Sequence, residues 1–220
     1  MLIDRNKSLI ISFLTMRRLI GILGIALPIV VVLGGLMQSQ PVVQGSVSGY
    51  YYTSMRDIFV GSLCAVSLFL MSYRGYEKID GVVAKMGGAF ALGMVIFPTS
   101  MFSGKVVKVG TFLIDDNISG YIHLIFAALF FLTLSFNSIF LFTRRHPGPM
   151  GRAKRHRNII YRTCGIIMFM SMGCIIIYMI FLRNTSLARI NLVLILETVA
   201  LMAFGVSWLV KGNTLFKDKK

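Results

Sequence analysis

The sequence predicts an all-α fold: a polytopic membrane protein, six transmembrane helices in one bundle, with both termini in the cytoplasm. Three observations carry this expectation. Hydrophobic residues make up 56% of the 220 residues and charged residues only 14%, whereas a soluble domain carries about a quarter charged residues. The apolar residues gather into runs of roughly twenty, the length that crosses hydrocarbon, separated by short charged loops. The basic residues fall mainly on alternate loops, which fixes an orientation.

A cytoplasmic arm, residues 1–18, carries Arg5, Lys7, Arg17 and Arg18 ahead of the first span, Leu19–Met37. That run is too long for a signal-peptide core and ends in GGLMQSQP without an A-x-A site, so it reads as a retained span. The second span, Asp57–Tyr73, opens from SGYYYTSMRDIFVG and is short. The third, Met86–Phe102, contains MGGAFALGM. Its pairs Gly87/Ala91 and Ala89/Gly93, like Gly21 and Gly24 of the first span, suit close helix approach. Such pairs serve contacts within one bundle first, and a homo-oligomer stays open. The fourth and fifth spans are Tyr121–Thr143 and Thr163–Leu182. The sixth, Ile190–Val210, ends the domain 19–210 and leads into a basic tail, 211–220. Pro28 and Pro98 should bend or end their helices. Trp208 falls where an interfacial aromatic belt would lie. SGY recurs at Ser48 and Ser119, a faint echo of a duplicated hairpin.

Eighteen of the 23 basic residues lie in the arm, the second and fourth loops and the tail; Arg56, Lys105, Lys108, Arg183 and Arg189 lie on the other side. The positive-inside rule then places both termini in the cytoplasm. The net charge of +15 is thus a topology signal and not a nucleic-acid footprint, which needs one continuous basic face. Attraction of anionic lipid to the fourth loop, RRHPGPMGRAKRHR, is its expected physical effect.

With this orientation the unusual polar residues gather at the outer ends of the spans. Asp57 begins the second, His123 lies two residues into the fourth, and Glu197 lies seven into the sixth. Arg56, Tyr51 and Thr99 fall at the same level. An acid inside a span is costly and faces the bundle interior, so Glu197 marks a functional candidate. The expectation is one outward pocket formed by Tyr51, Arg56, Asp57, Thr99, His123 and Glu197, with Arg56 or His123 as charge partner of Glu197. The same residues also fit a structural ion-pair network.

Several chemistries lack their signatures. Cys64, Cys164 and Cys174 lie in apolar runs without CxxC spacing, which disfavours a disulfide framework. His123 is the one histidine inside a span, too few for a heme bundle. Asp57, His123 and Glu197 could hold a catalytic metal with water in the fourth position, but HExxH and GxSxG motifs are missing. The expectation is therefore no cofactor and no resident metal.

The stretches YYYTSMRDIFVGSL, YRGYEKID, ALGMVIFPTS, YIHLIFAALFFLTLS and ETVALMAFGVSWLVKG resemble a domain-of-unknown-function group of small bacterial multi-span inner-membrane proteins, near the Frag/DRAM/Sfk-like proteins. The resemblance runs from the second span to the sixth and implies a bacterial inner-membrane setting. It singles out the same Arg56, Asp57, His123 and Glu197, and implies no activity. A weaker likeness is to membrane hydrolases of the ceramidase and progestin-receptor type, whose several histidines are missing here. The expected function is binding of a small or lipid-like ligand in the outward pocket, as sensor, carrier or accessory subunit. The alternatives are a metal-dependent hydrolase acting on a lipid-like substrate and a structural subunit.

Overall fold

The computed structural model describes residues 2–75, 77–101, 107–144, 151–182 and 190–212, and side chains from residue 13 onward. Its helices are α1 (Leu2–Leu36), α2 (Arg56–Ser72), α3 (Lys78–Ile96), α4 (Asp116–Phe136), α5 (Arg152–Ile177) and α6 (Leu192–Lys211). Five are long and apolar enough to cross a membrane: α1 from Phe13 onward, α3, α4, α5 and α6. The chain is a multi-pass helical membrane protein. At 17 residues, α2 spans about 25 Å, shorter than a ~30 Å hydrocarbon core.

Each helix packs on its neighbours in sequence, and α6 returns to pack on α1, so the six form a closed ring. Short π-helical turns continue α4 (Asn137–Leu141) and α5 (Tyr178–Leu182). A 3-10 turn, Ser48–Tyr52, precedes α2. A two-residue antiparallel hairpin, β1 (Lys108–Val109) with β2 (Ile114–Asp115), precedes α4. The alternation of apolar run and charged loop carries no signal for so small a hairpin.

Four helices begin well before the expected spans: α1, α3, α5 and α4, which starts at Asp116 and not at Tyr121. Residues 2–18 of the expected arm are the opening part of α1, which also runs through Pro28 unbroken. The third span was expected to begin at Met86 and the fifth at Thr163; α3 begins at Lys78 and α5 at Arg152. Hydropathy marks where hydrocarbon ends, whereas a helix continues until its backbone finds a cap. At α3 that cap is the Asp80 carboxylate, which accepts the Glu77 N–H at 3.1 Å.

Small residues set the closest crossings. A Cβ on Gly205 would meet the Gly21 carbonyl oxygen at 2.6 Å, and one on Gly21 would meet the Gly205 carbonyl at 2.8 Å. Where α2 crosses α3, the Ser67 hydroxyl donates to the Gly88 carbonyl at 2.7 Å. The α4–α5 contact repeats the arrangement with Ser135 and Gly165, also at 2.7 Å. Such contacts hold helices together where lipid gives no hydrophobic drive. Of the expected third-span pairs, Ala91 is buried and Gly93 packs on Phe126, but Ala89 is exposed. That pair does not work as a unit.

One end of the ring is basic. There the Arg17 guanidinium lies over the Phe13 ring and donates to the Tyr73 hydroxyl (3.2 Å) and the Lys211 carbonyl (3.3 Å). Trp208 is fully buried, with Tyr73 and Phe142 against it edge-on. It is a core residue, not the lipid-facing belt expected from its position. Its indole lies on the same α6 stripe as Leu201 and Phe204, so helical period outweighs depth.

Candidate functional site

The opposite end holds the intramembrane acid. Leu194, Leu201, Phe204 and Trp208 form the buried stripe of α6, and Glu197 falls on it by i+3 and i+4 spacing. Its Oε2 accepts the Val47 N–H at 2.5 Å and its Oε1 the Ser48 hydroxyl at 3.4 Å. The Leu194 N–H donates to Gly45 at 2.9 Å alongside. Glu197 therefore closes the start of α6 onto the loop that follows α1. Among the described residues it has no ion pair. The expected partner, Arg56 or His123, is replaced by backbone and hydroxyl donors. These satisfy a carboxylate without burying a second charge.

His123 is placed by a proline. Pro98 has no N–H, so the Met94 carbonyl loses its helical partner and α3 ends at Ile96. His123 Nδ1 takes over, donating to the Phe97 carbonyl at 2.8 Å and the Met94 carbonyl at 3.2 Å. Because both partners are carbonyl oxygens, Nδ1 carries the proton and Nε2 is left as the free ring nitrogen. Among the described residues nothing bonds to Nε2.

His123 and Glu197 line one cavity of about 30 Å³, with Val47, Ser48, Phe59 and Phe131 among its other walls. The space holds about one or two water molecules. It does not hold a lipid chain.

The other expected site residues separate. Asp57 is exposed on α2; it lies 200° around the helix from Phe59, which faces the cavity. Arg56 is exposed as well, with its guanidinium 4.5 Å from the buried Tyr51 ring and donating to the Tyr51 hydroxyl at 2.9 Å. Among the described residues no three His, Cys, Asp or Glu side chains gather as a metal site requires. The Asp57–His123–Glu197 triad is thus not assembled. The SGY echo also separates, since Ser48 begins a 3-10 turn whereas Ser119 lies within α4.

A second polar centre lies close by on the loops. Asp116, fully buried at the start of α4, accepts the Ser100 hydroxyl at 2.6 Å and the Met101 N–H at 3.2 Å. The Tyr52 hydroxyl donates to the Thr99 carbonyl at 2.8 Å and lies 3.4 Å from Asp116. Thr99 thus contributes its backbone. A carboxylate in the first turn of a helix is favoured by the free N–H groups there, so DDNIS was a readable signal that pocket geometry alone did not single out. Asp116→Ala strands the Ser100 hydroxyl and Met101 N–H and should cost about 2 kcal/mol in a detergent unfolding titration.

Tyr52 gives this latch a pH dependence. Burial first, and the Asp116 carboxylate second, push its phenol above the ordinary range. A raised acid favours the protonated form in the folded state. The stability it adds is therefore present in full below about pH 10 and lost as pH rises further. Tyr52→Phe should flatten that alkaline loss of stability while leaving unfolding near neutral pH less affected. An alkaline limb of unchanged slope would contradict the assignment.

No family model, curated protein or solved structure matches the chain.

Proposed function

We propose that the chain is a six-span protein of the bacterial inner membrane, both termini cytoplasmic, whose outward pocket binds a small polar ligand as a proton-responsive sensor or carrier. The observation that carries this reading is the water-sized cavity shared by His123 and Glu197. A water there would find Glu197, Ser48 and the free Nε2 of His123 as partners, and a buried water needs two to four. Acid and imidazole joined by water is the arrangement of intramembrane proton relays. The small volume favours such a ligand over a lipid-like one. Surrounding lipid, with anionic lipid against residues 144–157, of which 145–150 lie outside the described residues, supplies the remaining partners.

A structural reading is favoured by one specific observation: both Glu197 oxygens are engaged by Val47 and Ser48. Titration of internal proton uptake separates the two. The proposal predicts uptake that disappears in both Glu197→Gln and His123→Gln; unchanged uptake in either variant supports the structural reading.

Orientation is tested by labelling. Phe112 is exposed at the hairpin and Arg155 is exposed on α5. Phe112→Cys should react with a membrane-impermeant maleimide in intact cells, and Arg155→Cys only after lysis. Reaction of both from one side would refute the six-span reading.

A further inference from the structure

We propose that the outward face of α3 at the basic end is a binding site for one anionic glycerophospholipid, its phosphate among Arg74, Lys78 and Lys85 and an acyl chain in the groove between α3, α4 and α5. The site is separate from the Glu197 cavity and rests on the membrane reading alone.

Two hollows lie on this helix. A polar cleft of about 500 Å³ is lined by Arg74, Glu77, Lys78 and Lys85. An apolar groove of about 580 Å³ is lined by Val83, Met86, Leu132, Phe136, Phe140 and Phe169. Val82 and Lys85 line the first while Val83 and Met86, the next residues along, line the second. Successive residues lie about 100° apart around a helix, so cleft and groove occupy neighbouring faces of α3, and one lipid would bridge them around Lys85 and Met86. Lys85 is about 10 Å along the axis from Lys78, and its long stem can reach back to the cleft.

Charge selects the occupant. Glu77 is taken by the Arg144 guanidinium, and Asp80 faces that same arginine at 3.5 Å. Arg74, Lys78 and Lys85 are exposed and have no ion pair among the described residues. Three uncompensated cations above an apolar groove fit a lipid that carries a phosphate and a net negative charge. The groove's two hydroxyls do not compete for a polar ligand, because Thr133 bonds to its own Leu129 carbonyl and Ser135 to Gly165. A water-soluble phosphate would leave the groove unused.

The test is native mass spectrometry of the full chain in neutral detergent, with equimolar dioleoyl-phosphatidylglycerol and dioleoyl-phosphatidylcholine. One phosphatidylglycerol should be retained in preference. Arg74→Gln/Lys78→Gln/Lys85→Gln should weaken it by about 100-fold, near fivefold per charge. Val83→Trp, which fills the groove and leaves the charges, should weaken it as well. Arg152→Gln/Arg155→Gln should leave it in place, and millimolar glycerol phosphate should not displace it. Retention unchanged in the triple variant overturns the proposal, as does equal loss in the Arg152/Arg155 control. Displacement by glycerol phosphate, or no effect of Val83→Trp, overturns the acyl-chain part. Should the triple variant fail to fold, Lys85→Gln alone must show a severalfold loss, and no loss refutes the site.

Discussion

Glu197→Ala should lower stability by up to about 3 kcal/mol, because it strands the Val47 N–H, whose bond to a charged acceptor is worth roughly 1.5–3 kcal/mol, while the Ser48 hydroxyl keeps Ser46 as a partner. Glu197→Gln should cost less, since its amide oxygen can still accept one of the two. Arg56→Ala should stay within about 1 kcal/mol, because this exposed arginine touches the ring and hydroxyl of Tyr51 and not the acid. Unfolding titrations of the three variants in one detergent decide the order. If Arg56→Ala is the most damaging, Glu197 depends on a cation after all.

Gly205→Leu should be as severe, at about 3 kcal/mol, with the α1–α6 pair forced apart. The obstacle is backbone: a Cβ at Gly205 lies 2.6 Å from the Gly21 carbonyl oxygen, which no rotamer change relieves. Gly61→Leu is the matched control, with nothing near its Cβ. Equal behaviour of the two variants would mean that α1 and α6 do not cross there.

These residues differ in how far the sequence betrays them. Helix number and the apolar stripe are properties of local pattern, so six helices, five of them long and apolar enough to cross a membrane, and the packing role of Gly21 and Gly24 were legible. Glu197 was legible as an acid on a buried stripe, and its company with His123 followed from their depth. Its bonding partners were not, because a backbone N–H has no residue-type signature. Val47 looks like any valine. Asp57 misled for a complementary reason: membrane depth carries no information on helix rotation, and 200° of rotation sends it outward. Trp208 repeats that lesson at the other end. The Asp116 latch depends on a loop folding back to present Met101 N–H, a non-local closure that period and composition do not encode.

The most direct test of the proton-site reading is a high-resolution experimental density map of the full chain in a lipid nanodisc, inspected between His123 and Glu197. The expected result is a single water-sized peak within hydrogen-bond reach of His123 Nε2 and Glu197, with the carboxylate still on the Val47 N–H. A lipid tail in that space, a metal on the two side chains, or a Glu197 carboxylate facing the bilayer would contradict it.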